Sequence, residues 1–331
     1  MTKHYRLVAL AAAAVITAVG AMPATAQTKK HDQVQIISGS PTGSWFPIAS
    51  AAAELTNANY EGQPISVVPG AGGVGNPLRV GTGQSDIGVS YGPFLKLAQQ
   101  GPNDLYTEAF PKLRAVAGMT SNKLHLVGDS SAVVDLASLS GKKPKIRVGT
   151  GPKGSTELFT MEEVLNAYGV SFDDIDSWGG RVDQLNTGGR TDAWNNRQLD
   201  LVNFFINDPA ARVIELMSGR NGSKLLDIND KIASLLVKEW GMIEFTIPAN
   251  TYPNQTADVR TVGMPFVFFT TTDLDDELVY NFTKGIAENH ERLKATHAAF
   301  NTWKPEDMAN GLGIEIHDGA KKYYRERGWI K

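Results

Sequence analysis

The stretch Ile65-Ser66-Val67-Val68-Pro69-Gly70-Ala71-Gly72-Gly73-Val74-Gly75-Asn76 joins a β-branched run to a glycine-rich loop. The run predicts a strand at 65–68, and the residues after the loop predict a helix over 76–80. Two other glycine-rich loops also stand between a predicted strand and a predicted helix: Ser38–Ser44, between a strand at 33–38 and a helix at 45–57, and Gly149–Thr156, between a strand at 145–148 and a helix at 157–168. This alternation predicts an α/β protein with parallel strands and helices on both faces of the sheet. We call residues 38–44 the first loop, residues 70–76 the second loop and residues 149–156 the third loop.

The chain length predicts two lobes, because its 331 residues exceed the roughly 250–300 at which one hydrophobic core stops growing. Two long apolar segments, Leu113–Val127 and Val262–Thr270, are the candidates to cross between the lobes. The predicted division is a signal peptide at 1–26, the first lobe at 27–120, the second lobe at 121–264, and a return to the first lobe with C-terminal helices at 265–331.

The N-terminus has the pattern of a secretory signal peptide. Lys3 and Arg6 precede an apolar run at 7–20, and Ala24-Thr25-Ala26 offers small residues for cleavage after Ala26. The run is shorter than the roughly 20 residues that a spanning helix needs. We therefore expect an exported, soluble mature protein, with an uncleaved membrane anchor as the alternative.

Composition excludes several functions. The chain has no cysteine, which rules out disulfides, thiolate metal sites and a cysteine nucleophile. A net charge of -3 argues against nucleic acid as a partner. His290 and His297 could share a helix face, but no third ligand accompanies them, so we expect no metal. No catalytic motif is present, so we expect neither an enzyme nor a cofactor.

The glycine-rich loops favour an anion site. Glycine lets the backbone approach a ligand closely, and each helix N-terminus offers free N–H groups and a positive dipole end. One alternative is that the loops are ordinary tight turns. Another is a dinucleotide site, because the second and third loops both contain the spacing G-x-G-x-x-G. Neither is followed by the acidic residue that this fingerprint requires at the end of the next strand.

Several motifs resemble one family. They are the first loop with Trp45-Phe46-Pro47, Asn76-Pro77-Leu78-Arg79, Ser85-Asp86-Ile87-Gly88, Val148–Thr156, Thr246–Pro253, Val259–Pro265 and Val279–Lys284. Together they resemble the TAXI-type solute-binding proteins of tripartite ATP-independent periplasmic (TRAP) transporters, over essentially the whole mature chain. Gly179–Asn196 departs from the family pattern, because it is longer and richer in arginine and tryptophan.

The resemblance implies a type II periplasmic-binding-protein fold, with two interlobe crossings and the ligand in the cleft between the lobes. It also implies a periplasmic protein that closes on a small carboxylate or amino acid, such as glutamate or 2-oxoglutarate. We expect this protein to be a monomer. The partner would be a TRAP membrane permease driven by an ion gradient. A ligand-loaded sensor that docks a receptor and, less favoured, an exported enzyme on the same fold are the alternatives.

The candidate ligand-binding residues come from the three loops and from two strand ends. They are Gly39, Ser40, Thr42, Gly43, Ser44, Trp45, Gly72, Gly73, Asn76, Tyr91, Thr150, Gly151, Gly154, Ser155, Thr156 and Asn207. Trp45 and Tyr91 would cover the apolar part of the ligand, and Asn203 is a further candidate beside Asn207. Arg79 or Arg181 could pair with a carboxylate, although a surface or structural role is favoured for both.

Overall fold

A computed structural model describes residues 33–133 and 135–331 of the chain. The predicted signal peptide lies outside these described residues. The strands are β1 (Val34–Ile37), β2 (Ile65–Val68), β3 (Ile87–Tyr91), β4 (Leu113–Asp129), β5 (Arg147–Thr150), β6 (Arg181–Gln184), β7 (Leu201–Ile206), β8 (Ser223–Leu225), β9 (Ile243–Ile247) and β10 (Val259–Thr271).

The helices fill the connections between the strands. They are α1 (Trp45–Asn57), α2 (Asn76–Gly81), α3 (Gly92–Gln100), α4 (Leu139–Lys142), α5 (Thr156–Ala167), α6 (Phe172–Ser177), α7 (Thr187–Asn195), α8 (Ala211–Gly219), α9 (Asp230–Trp240), α10 (Asp276–Glu288), α11 (His290–Thr296) and α12 (Asp318–Glu326), with short 3-10 helices at Ala298–Asn301 and Pro305–Ala309. The amphipathic pattern from Asp275 to Lys294 predicts a single helix. The structure has two helices there, because the backbone turns at Asn289, whose side chain donates to the carbonyl of Gly285.

The sheet runs in the order β2-β1-β3-β10-β4-β7-β5-β6, with β8 added beside β4 and β9 beside β10. The expectation of parallel strands holds for β1 with β2 and β3, and for β5 with β6 and β7. It is wrong for the middle of the sheet, where β10 and β4 pair antiparallel to each other and to their outer neighbours. The reason is that one crossing strand runs out to the second lobe while the other returns.

The two crossing strands hold the lobes together. The first half of β4 pairs with the end of β10, and its second half pairs with β7 and β8. Both strands are buried along most of their length, and the largest apolar cluster extends from Ile36 through Tyr91 and Phe205 to Val164. The two-lobed fold with two crossings is thus confirmed. The boundaries at 120/121 and 264/265 stay predictions, and both fall near the middle of these strands.

Candidate functional site

A cavity of about 260 Å³ lies where all three glycine-rich loops meet. This is just below the roughly 300–1,000 Å³ of pockets that take drug-sized ligands, so the space suits a smaller molecule. Ten of the candidate residues line it: Gly39, Ser40, Gly43, Ser44, Trp45, Gly72, Gly73, Tyr91, Ser155 and Thr156. Six candidates do not: Thr42, Asn76, Thr150, Gly151, Gly154 and Asn207.

The first loop presents the start of α1 to the cavity. The N–H of Gly43 donates to the carbonyl of Ser40 over 2.9 Å, which makes a tight turn before the helix. Ser44 occupies the N-cap position without a side-chain capping bond. The N–H groups of the first helical turn are therefore not satisfied by this cap and can serve a ligand. Thr42 lies outside the lining, near the start of α7, where a Cβ added to Gly188 would lie 3.6 Å from its hydroxyl.

The second loop is held in place by Asn76, which has a positioning role and does not line the cavity. Asn76 is fully buried, and its Nδ2 donates to the carbonyls of Ser38 and Val89, each over 2.8 Å. These bonds connect the loop to the residue directly after β1 and to the middle of β3. The site prediction for Asn76 therefore identified a residue that shapes the wall from behind it.

The third loop contributes Ser155 and Thr156 at the start of α5. Ser155 caps this helix, because its Oγ accepts from the N–H of Leu158 over 3.1 Å. Thr150 turns away from the cavity and donates to the carbonyl of Glu157 over 2.9 Å. A Cβ on Gly151 would collide with the Ser155 hydroxyl, so Gly151 serves the turn itself.

The second and third loops touch each other across the cleft. The N–H of Gly75 donates to the carbonyl oxygen of Gly154 over 2.9 Å. A Cβ on Gly72 would lie 3.0 Å from the Cα of Ser155, and one on Gly73 would lie 2.6 Å from the Thr156 hydroxyl. Only residues without a side chain allow this approach, so the contact requires glycine at these positions.

Arg190 is the arginine of the cavity, and the sequence prediction missed it. Its Nη1 donates to the carbonyl of Leu185 over 2.8 Å and its Nη2 to Oε1 of Glu157 over 3.1 Å. The guanidinium carbon lies 4.8 Å from the ring centre of Phe204. Burial lowers the pKa of Arg190, and the Glu157 carboxylate opposes that shift. Arg190 belongs to Gly179–Asn196, the arginine-rich segment that departs from the family pattern. That departure is the feature of the sequence that could have pointed to Arg190.

The two arginines that the sequence offered as carboxylate partners, Arg79 and Arg181, lie at the surface. Arg79 donates to exposed Gln84 over 2.8 Å, and Arg181 pairs with Asp183 over 2.8 Å. Neither residue lines the cavity. Asn207 and Asn203 also lie behind the site: Asn207 donates to Thr120 and Ser121 of β4, and Asn203 donates to the carbonyl of Glu157.

Aromatic rings form the apolar wall. The rings of Trp45 and Tyr91 have centroids 5.1 Å apart, and those of Tyr91 and Phe205 are 5.2 Å apart. Burial raises the pKa of Tyr91 well above its usual value, so its hydroxyl stays neutral. The rings therefore offer rigid apolar surface beside polar groups.

Three buried donors at the cavity have no hydrogen-bond partner among the described residues. They are Nε1 of Trp45, Oγ1 of Thr156 and Nε of Arg190. Leaving a buried donor unpaired costs about 1–3 kcal/mol. The first turns of α1, α5 and α7 also reach the cavity through Trp45, Thr156 and Thr187. The site therefore combines three positive helix ends with unpaired donors, which suits the acceptor oxygens of an anion.

Comparison with known proteins places the chain among periplasmic binding folds. It is similar to MatC (Rpa3494) from Rhodopseudomonas palustris with bound malate, at 13% identity and a TM-score of 0.54, covering 90% of this chain and 97% of that one. It is also similar to the periplasmic binding protein BugD, at 15% identity and a TM-score of 0.52, covering 91% and 98%. PhnD1 from Prochlorococcus marinus with methylphosphonate matches at 13% identity and a TM-score of 0.50, covering 90% and 98%.

Across residues 33–133 and 135–331, the helices are all too short or too polar to cross a membrane. The sequence matches the NMT1-like family over residues 36–328, nearly the whole described chain. The chain therefore belongs to the NMT1-like family and has the two-lobed fold of periplasmic solute-binding proteins.

Proposed function

We propose that this chain is an exported solute-binding protein, not an enzyme, that captures a small organic anion between its lobes. The observation that carries the proposal is the convergence of three helix N-termini with the donors of Trp45, Thr156 and Arg190, which have no partner within residues 33–133 and 135–331. Malate and methylphosphonate, which are bound in two proteins of similar fold, are both small anions. A carboxylate or an amino acid such as glutamate or 2-oxoglutarate fits the cavity of about 260 Å³.

The proposed partner is the membrane permease of a TRAP transporter, with the chain as its TAXI-type subunit in the periplasm. The support is the order of the TAXI-type motifs along the sequence. Uptake into vesicles that contain the permease should require this chain and an ion gradient. Uptake that depends on ATP hydrolysis would contradict the TRAP assignment.

The binding test uses the chain from Gln27 onward, unfolded and refolded to remove any resident ligand. Carboxylates, sulfonates, phosphonates and neutral sugars are compared for their effect on the melting temperature. A ligand that binds only the folded state raises this temperature by mass action. At least one anion should do so, and Ser155→Ala with Thr156→Ala should weaken the shift. Binding of neutral sugars alone would overturn the proposal.

A further inference from the structure

Asn122 places a buried acceptor at the wall of the cavity. It lies on the crossing strand β4, and its Nδ2 donates to the Tyr91 hydroxyl over 2.9 Å and to the carbonyl of Phe205 over 3.2 Å. A carbonyl can only accept a hydrogen bond, so the amide nitrogen must be the atom that faces Phe205. This fixes the orientation of the amide and directs Oδ1 elsewhere.

Oδ1 of Asn122 has no donor in the part of the chain that the structure describes, although the residue is only 2% exposed. Such an acceptor costs about 1–3 kcal/mol. The two bonds from Nδ2 prevent the amide from turning to satisfy Oδ1 elsewhere. Asn122 lines the cavity, which leaves a ligand held there as the source of the missing donor.

Glu157 is a second acceptor at the same cavity. One of its oxygens accepts from Arg190 over 3.1 Å, and an ionised carboxylate can accept about four hydrogen bonds. The negative charge of Glu157 also cancels the positive charge of Arg190 at the cavity wall. The cavity thus offers acceptors as well as the donors described above, and a ligand with acceptor oxygens alone would leave the acceptors unpaired.

We infer that the site selects small acids that also carry a hydroxyl or a protonated amino group, and that Asn122 is the specificity-determining residue that binds this donor. The inference rests on the proposed function. An unsubstituted acid presents no donor to Oδ1 of Asn122. A 2-oxo acid presents its carbonyl oxygen, and this acceptor is repelled by Oδ1, which is an acceptor too. A site built around a polar partner rejects analogues that lack that partner, because its own buried group then stays unpaired.

The test compares matched acids of three, four and five carbons by titration calorimetry on the refolded protein. The sets are propionate, lactate, pyruvate and alanine; succinate and malate; and glutarate, 2-hydroxyglutarate, 2-oxoglutarate and glutamate. Within a set that binds, the hydroxy or amino acid should bind at least tenfold tighter than the unsubstituted and 2-oxo acids. Equal affinities within every binding set would overturn this inference and leave anion capture standing. If no member of any set binds, carboxylate capture fails as well.

The variant Asn122→Leu tests whether this residue causes the selectivity. The variant should lose the tenfold preference within a set. Asn207→Leu is the matched control, because Asn207 is also a buried asparagine whose Oδ1 has no partner in the described part of the chain, but it does not line the cavity. It should keep the preference. An unchanged preference in Asn122→Leu would overturn the role of Asn122, and the wild-type series decides ligand class even if this variant does not fold.

Discussion

The backbone N–H of Gly75 donates to the carbonyl oxygen of Gly154 over 2.9 Å, which joins the loop after β2 to the loop before α5. Residues of both loops line the cavity. Their contact closes the space beside Ser155 and Thr156, so the approach of the two backbones and the shape of the ligand site depend on each other.

Gly72→Ala is expected to weaken ligand binding by at least tenfold. Gly72 has φ +123°, and an added Cβ would lie 3.0 Å from the Cα of Ser155, so the third loop would have to move away. Calorimetric titration with an anion that the wild type binds measures the effect. Gly83→Ala is the control, because Gly83 has φ +73° and open space around the added Cβ. It should lose about 1 kcal/mol of stability from backbone strain and keep its affinity. Equal affinities in the two variants would contradict the prediction.

Arg190→Gln is expected to reduce anion affinity by at least a hundredfold. The variant loses the positive charge and the Nε donor, and it leaves Glu157 without its partner. Breaking a buried ion pair costs about 3–5 kcal/mol, so stability should fall too. The double variant Arg190→Met with Glu157→Leu should recover stability in urea unfolding but not affinity. Arg79→Gln, at an exposed arginine, should change neither. Recovery of affinity in the double variant would contradict the assigned role.

Thr156→Val should separate stability from function. The Thr156 hydroxyl is buried without a partner among the described residues, so replacing it with a methyl group should keep or raise the melting temperature of the ligand-free protein. Ligand affinity should fall about tenfold, the effect of one lost hydrogen bond of roughly 1.4 kcal/mol. In contrast, Thr56→Val removes a buried hydroxyl that donates to Ala52 within α1, and it should leave affinity unchanged. Full affinity in Thr156→Val would exclude a ligand contact there.

His125 is expected to destabilise the fold in mild acid. Burial lowers its pKa to about 4 from the ordinary 6.5, and the ring joins the carbonyl of Lys123 to the Tyr252 hydroxyl. The unfolded chain therefore binds the proton more readily than the folded one. The contribution of the neutral His125 ring to the free energy of unfolding is complete above pH 6.5. It is lost as the pH falls toward 4, by about 3 kcal/mol in all.

Urea unfolding of the wild type and of His125→Gln at pH 7 and pH 4.5 measures this contribution. The wild type should lose more stability than the variant over that interval. His297 and His317 also have lowered pKa values, and both proteins retain them, so the difference isolates His125. Parallel losses in the two proteins would rule out a contribution from His125.

The elements with the clearest local patterns were predicted closely. Helix α1 has the predicted bounds of 45 and 57, and β2 has the predicted bounds of 65 and 68. Both follow from the spacing of apolar residues over a few turns or pleats. The break at Asn289 was missed, because the apolar pattern continues past it and only the backbone turn interrupts the helix.

The sequence by itself determined the positions of the three glycine-rich loops and the two crossing segments, because glycine, apolar runs and helix starts act over a few neighbouring residues. Only the tertiary structure decided how each polar side chain is used. Asn76 is directed inward to β1 and β3, whereas Arg190 and Asn122 line the cavity and each keep a buried atom without a partner among the described residues. The physical reason is that a hydrogen bond depends on which groups meet in space. Here the antiparallel crossing strands β4 and β10 bring distant residues together.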